Sequence, residues 1–253
     1  MSESKILPPE LEREIFELAY RLDPSDGLNL KLVAQRVRVW LEAAREKEPA
    51  FFAAVKNLSF AYPVLSTQAV EIVSLCSAVQ QLACWINHDE TPQLLLLIRQ
   101  LPLRRLSIEH EHFVNVLAAS ALASSPWTLN LTHLELVFWR EANDGVRFTQ
   151  QLVHDLCKLP RLTHVALSLD FKDGVRQEHV DLITSGLPNL SVLIILVNAD
   201  DDLAGNFSGG CVVEISEESM PDVSEVHHSE DNDLWARAER MIAARKAAAS
   251  QSS

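Results

Sequence analysis

The sequence predicts an α/β fold: a leucine-rich-repeat solenoid with parallel strands and outer helices, preceded by a small three-helix unit. Three observations lead to this prediction, namely a strand phrase that occurs six times, helical patterns between the phrases, and an apolar segment with two prolines near the start of the chain. A single repeat cannot bury its apolar face by itself, so stacked neighbours must supply a continuous core.

The first element is a helical unit over residues 6–45, which follows a short disordered N-terminus at 1–5. Its first helix starts at a Pro-Pro pair, where the missing N–H costs nothing. Segments 28–33 and 34–42 are predicted as two further short helices. A unit this small holds little core of its own, so its apolar stripe either binds a partner or packs on the first repeat. The stripe consists of Leu11, Ile15 and Phe16.

The repeat domain is predicted over residues 46–199. A six-residue phrase of the form apolar-x-x-apolar-x-apolar recurs there, and its fourth positions are separated by 24, 24, 28, 31 and 28 residues. Leucine-rich repeats have periods of about 20–29 residues. The alternation of the fourth and sixth positions predicts a strand with these two side chains directed into the core. The fourth positions are Leu58, Leu82, Leu106, Leu134, Val165 and Leu193.

Helical patterns separate the phrases, and several run into a Leu-Pro pair. Because the residue before a proline is pushed out of the α region, each of these helices ends where the next strand begins. Strand–helix–strand units predict parallel strands with right-handed crossovers. The predicted helices are Gln68–Ala78, Pro92–Gln100, Phe113–Ala123, Arg147–Lys158 and Gln177–Ser185.

Negative charge is concentrated after the repeats. Between Asp200 and Asp233 the sequence has 11 acidic residues and no Lys or Arg. Like charges repel and stay solvated, so residues 200–228 are predicted as an acidic, loop-rich segment with a possible short strand at Cys211–Ile215. This segment is either a docking tail or a solvated linker.

The last segment, residues 229–253, is predicted as a terminal amphipathic helix and tail. Acidic residues precede its apolar stripe, at the positive end of the helix dipole. The sixth phrase is apolar even at its outward positions, Val192, Ile194 and Leu196. A strand that is apolar on both faces should be covered on both, so we expect the acidic segment or this helix to fold over it. The stripe consists of Leu234, Trp235, Ala238, Met241 and Ile242.

The composition disfavours several classes of function. The formal net charge is −13, whereas a nucleic-acid-binding protein needs a basic face. No apolar run approaches the roughly 20 residues of a membrane span, and the first residues lack the pattern of a signal peptide. Four Cys do not make a disulfide scaffold, so a cytoplasmic or nuclear location is expected. The sequence has no recognisable catalytic set, metal site or cofactor motif, and we expect no enzyme activity.

The N-terminal unit resembles the F-box through Leu7-Pro8-x-Glu10-Leu11, the Ile15-Phe16 pair and the later apolar positions of residues 30–40. The whole chain is similar to the F-box-like proteins of mushroom-forming fungi. The resemblance implies a substrate-recognition subunit of a cullin–RING ubiquitin ligase. Its F-box would bind the S-phase-kinase-associated adaptor, and its repeats would hold an unknown protein target. The implied adaptor-binding residues are Leu7, Pro8, Leu11, Ile15, Phe16, Leu30, Val33 and Val37.

The third, fifth and seventh residues of each phrase should point away from the core, on what we call the odd-position face. The part of this face that stays open is expected to bind the target, or is merely solvated. His133 and His164 each end a Leu-Thr-His tripeptide at the same position of the phrase, which would place them on adjacent strands. A metal site there would need a third ligand. The predicted target-binding residues are Trp85, Arg105, Glu109, His133, Glu135 and His164.

Two other interpretations stay open. The chain is alternatively a stand-alone leucine-rich-repeat interaction scaffold without a ligase role, whose N-terminal helices only cap the repeats. A doubly wound α/β enzyme is disfavoured because the strand phrase is constant and no glycine fingerprint follows a strand.

Overall fold

The chain forms two compact units, Met1–Leu103 and Arg104–Ser253. The structure, a computed structural model, describes residues 29–31, 49–60, 64–86, 92–118, 125–138, 150–169, 177–197, 207–216 and 233–251. Of the predicted adaptor-binding residues, only Leu30 is among them. The predictions for Leu7, Pro8, Leu11, Ile15, Phe16, Val33 and Val37 lie outside the described residues.

The first unit alternates short strands with helices. Its strands are parallel and adjacent in the order in which they occur along the chain. Its elements are β1 (Asn29–Lys31), α1 (Pro49–Ala54), β2 (Asn57–Phe60), α2 (Ser66–Leu75), β3 (Gln81–Cys84) and α3 (Pro92–Ile98).

Strand β1 corrects the prediction of a helix over residues 28–33. Leu30 lies in this strand and pairs with Leu58 of β2, so it occupies the fourth position of a further phrase 28 residues upstream. The segment Leu28-Asn-Leu-Lys-Leu32 has its leucines at every second residue, which is the period of a strand and not of a helix. The repeated pattern therefore extends into the segment assigned to the F-box-like unit.

The second unit continues the same alternation. Its five described strands are parallel, and each pairs with the one that follows it along the chain. The elements are β4 (Arg105–Glu109), α4 (His110–Ala118), α5 (Pro126–Asn130), β5 (His133–Phe138), α6 (Gln150–Leu156), β6 (His164–Leu169), α7 (Gln177–Gly186), β7 (Val192–Val197), β8 (Val212–Ser216) and α8 (Leu234–Gln251).

The fourth and sixth side chains of the phrases form the core, as the alternation predicts. In all six phrases, from the one with Leu58 to the one with Leu193, the residues at the fourth and the sixth position are buried. The helices bury the side of their surface that faces this core, for example Ala69, Ile72 and Val73 of α2. The fourth positions are also paired across the strands, as Leu134 is with Val165.

Neighbouring phrases are joined by the same pair of backbone hydrogen bonds. The carbonyl of the second residue in one phrase accepts from the N–H groups of the second and third residues in the next. Thr132, for example, accepts from Thr163 and His164, both at 3.0 Å. The carbonyls that do so belong to Lys56, Arg104, Thr132 and Thr163.

The fold class is thus α/β with parallel strands and helices between them. In the described part of each unit, the strand order never reverses, and a doubly wound sheet needs such a reversal to create its ligand crevice. Among the described residues, no helix is both long enough and apolar enough to cross a membrane.

Candidate functional site: a polar cluster beneath the terminal helix

Three of the predicted target-binding residues lie side by side in the second unit. Arg105 of β4 pairs with His133 of β5, which pairs with His164 of β6. All three are third residues of their phrases, so parallel pairing without a register shift brings them onto one row of the odd-position face.

Helix α8 lies over this row and the strands that follow it. Its residues Leu234, Trp235, Ala238 and Ile242 are buried, with Met241 packed beside them. The helix covers the apolar part of the odd-position face, as expected for the sixth phrase. The sheet residues in this cluster are Ala166, Val192, Ile194, Leu196, Val213 and Ile215.

The indole of Trp235 rests against two stacked imidazoles. The rings of His133 and His164 are 4.1 Å apart between centroids and only 13° from parallel. The indole plane of Trp235 is roughly perpendicular to both rings, at 77° and 89°, with centroid distances of 5.1 Å to His133 and 5.8 Å to His164. Edge-to-face contacts of this kind are the favoured geometry of aromatic pairs.

The threonine before each histidine orients its ring. The Oγ1 atoms of Thr132 and Thr163 lie 2.8 Å from the Nδ1 atoms of His133 and His164. On its other side, Nε2 of His164 lies 3.1 Å from Oε1 of Glu239 in α8. A neutral imidazole has one N–H. When Nε2 of His164 donates to Glu239, Nδ1 accepts the single proton of the Thr163 hydroxyl, which otherwise goes to the Thr132 carbonyl at 3.3 Å.

A second acidic residue of the terminal segment binds the arginine of the row. Nη1 of Arg105 lies 2.7 Å from Oδ2 of Asp233, and these side chains are 35% and 17% exposed. The Oδ1 atom of Asp233 accepts from the backbone N–H of Trp235 at 3.4 Å, so Asp233 also satisfies the helix start. Farther along α8, Nη1 of Arg245 donates to the carbonyl of Val212 at 2.6 Å.

Both histidines are held neutral by this environment. Burial, the adjacent His164 ring and the Arg105 guanidinium together lower the pKa of His133 to about 3. Burial also lowers the pKa of His164, although its hydrogen bond with Glu239 opposes that effect. Since neither ring is charged at pH 7, they can stack without repulsion between like charges.

The remaining predicted target-binding residues are less open than expected. Glu135 and His164 are buried, at 5% and 7% exposure, and the Glu109 carboxylate lies 3.1 Å from Nδ1 of His112. Trp85, in the first unit, is half-buried, and its backbone N–H donates to the Phe60 carbonyl. The expectation that the face is open at His133 and His164 is therefore corrected, because helix α8 starts above these two residues, and Glu135 is not open either.

Sequence reasoning did not connect Asp233, Trp235 and Glu239 with the histidines. Their spacing of i, i+2 and i+6 indicates only the start of a helix with both polar and apolar side chains. Their contacts with the sheet join residues up to 128 positions apart in sequence. The signal available in the sequence was the pairing of an acidic helix start with a tryptophan.

The cluster is suited to binding a helix. It combines apolar side chains, a guanidinium and an imidazole that are hydrogen-bonded to carboxylates, and two stacked neutral rings beside which an indole packs. In the part of the chain that the structure describes, no group of three or more His, Cys, Asp and Glu residues is arranged to hold a metal ion.

No protein-family model, no curated protein and no solved structure matches this chain. Its function must therefore be inferred from its own residues and their contacts.

Proposed function

We propose that the chain is an F-box-like substrate-recognition subunit of a cullin–RING ubiquitin ligase. Its N-terminal segment would bind the S-phase-kinase-associated adaptor, and its repeated strands would hold a protein target. The observation that carries the proposal is the order of the parts: the motif from Leu7 to Phe16 stands directly before a sheet of repeated parallel strands.

The sheet supports a role in protein recognition. Stacked repeats expose rows of side chains from successive strands, and such surfaces commonly bind other proteins. In the first unit the odd positions Asn57, Ser59 and Gln81 are half-buried, so part of this face remains accessible there. These side chains are polar, with Trp85 two residues beyond Ala83 as an apolar anchor.

The position of Leu30 favours a second candidate, a stand-alone interaction scaffold. Leu30 lies in strand β1 at a fourth position, opposite Leu58. The role of Leu30 is then explained by strand pairing within the first unit, without a contact to the adaptor. In this alternative the N-terminal segment caps the repeats and has no ligase partner.

A binding titration separates the two candidates. Purified adaptor would be titrated against the intact chain and against the variants Leu11→Asp and Phe16→Asp. Truncation of an apolar anchor at an interface often costs at least about 2 kcal/mol, or roughly 30-fold in affinity. We therefore expect each variant to bind at least roughly 30-fold more weakly, because each places a charge on the apolar stripe.

Arg13→Gln is the matched control, since it changes the net charge by the same amount in the same segment. It should bind the adaptor as the intact chain does. If the intact chain does not bind the adaptor, or if the two aspartate variants bind as Arg13→Gln does, the adaptor assignment is wrong and the scaffold is favoured. A variant that lacks the N-terminal segment would be a further comparison. Its deletion should end before Asn29, because removal of β1 would also damage the sheet.

A further inference from the structure

We propose that helix α8 is an internal substitute for the target, and that the sheet beneath it recognises an amphipathic helix of the same chemistry supplied by another protein. The proposal rests on the proposed function, because it specifies which kind of target the repeats would hold. The ligand would be a helix with an acidic cap, a tryptophan two residues later and a glutamate six residues after the cap.

The polar part of the contact is the first reason. A helix that only covered the apolar strands β7 and β8 would need apolar contacts alone. Instead, the sheet presents Arg105 to Asp233 at 2.7 Å and His164 to Glu239 at 3.1 Å. Asp233 and His164 are only 17% and 9% exposed, and such groups are costly to bury without a partner, so these two pairs favour one pattern of side chains over others.

The stacked histidines are the second reason. His133 and His164 form a stacked pair of rings, and Trp235 lies beside the pair, roughly perpendicular to both rings. Each ring is contacted at Nδ1 by the threonine that directly precedes it, Thr132 or Thr163, and His164 is in addition held from α8 by Glu239. The two threonines thus orient both rings from outside α8, as expected of a site that is largely formed before its ligand binds.

The extent of the contact is the third reason. The helix runs from Leu234 to Gln251, but its buried residues end at Ile242. Beyond them, every residue from 243 to 251 is exposed, although Arg245 still donates a hydrogen bond to the Val212 carbonyl. An internal ligand held mainly by about two turns is one that a stronger external helix can replace, since the two compete for one surface.

The test uses the full chain and a fluorescent synthetic peptide of residues 229–253. Peptide affinity would be measured by anisotropy for the wild-type chain and for Trp235→Ala, which weakens the internal helix. We expect the variant to bind the peptide at least ten-fold more tightly than the wild type. Adding Arg105→Glu to that variant should remove the gain, and a peptide carrying Asp233→Arg should restore it.

Glu239→Lys provides an independent route, because Glu239 is 59% exposed and its replacement leaves the apolar contact intact. This chain should also bind the wild-type peptide more tightly than the wild-type chain does. Lys246→Glu is the control, since it reverses a charge in the exposed part of α8 and should leave peptide affinity unchanged.

The proposal is overturned if a folded Trp235→Ala chain, judged by a cooperative melt, binds the peptide no better than the wild type. If Trp235→Ala does not fold, the same comparison is made with Glu239→Lys, and an unchanged affinity there overturns the proposal. Gain of binding that persists with Arg105→Glu would also overturn it, because the acidic cap would then not be recognised. None of these measurements involves the adaptor, so a failure here is distinct from a failure of the ligase assignment.

Discussion

Replacement of His133 should reduce the dependence of stability on pH in the mildly acidic range. In the folded chain the pKa of His133 is lowered to about 3, from an ordinary value of 6.5. Between these values the unfolded chain binds a proton that the folded chain does not. Stability therefore rises with pH across this window and is fully present above pH 6.5.

The size of the effect follows from the two pKa values. Each pH unit within the window corresponds to about 1.4 kcal/mol in the free energy of unfolding. On going from pH 7.5 to pH 5.0, the His133 contribution should therefore fall by about 2 kcal/mol. The lowered pKa of His164 acts in the same direction, so the wild-type chain should lose at least this amount.

The substitution His133→Asn provides the comparison. Its amide group lies near the place of Nδ1 and can form a hydrogen bond with the Thr132 hydroxyl, which is 2.8 Å from Nδ1 in the wild type and can donate its own proton to the Arg104 carbonyl. The new side chain does not titrate. Urea unfolding at pH 7.5, 6.5, 5.5 and 5.0 would give the free energy of unfolding for both chains.

We expect the variant to be less stable than the wild type at pH 7.5, because the ring contacts with His164 and Trp235 are lost. Its stability should fall less than that of the wild type as the pH is lowered, by about 2 kcal/mol over the range. Parallel pH profiles for the two chains would refute the reasoning, since His133 would then titrate alike in the folded and unfolded states.

Two further predictions concern the second unit and the cysteines. Gly186→Ala should destabilise the chain by about 1–3 kcal/mol in urea melts, because the added Cβ would lie 2.3 Å from Cγ1 of Val153; Gly210→Ala, with nothing within 4 Å of its Cβ position, should be neutral. In the native chain at pH 8, iodoacetamide should modify the exposed Cys157 and spare Cys76, since burial raises the pKa of the Cys76 thiol to about 12. Peptide mass spectrometry would measure this, and equal labelling of both thiols would contradict it.

The local pattern of the sequence determined the strands and their register. The residue at the fourth position of each phrase must be buried. A shift of one residue in the strand pairing would turn the whole apolar set outward. This is why Leu106, Leu134 and Val165 align as their spacing predicts. The same alternation is present in residues 28–32, where strand β1 forms, although a short helix was predicted there.

What covers the sheet was decided only by the tertiary structure. The apolar outward positions of the sixth phrase require a cover, but hydrophobic burial is not directional and does not specify where along the sheet the helix begins. Helix α8 begins above Arg105, His133 and His164 because Asp233, Trp235 and Glu239 complement them. Such complementarity joins side chains distant in the chain, and no periodicity within either segment records it. The sequence alone thus determined which residues form the sheet, while the fold decided that the face expected to be open is occupied by the chain's own last helix.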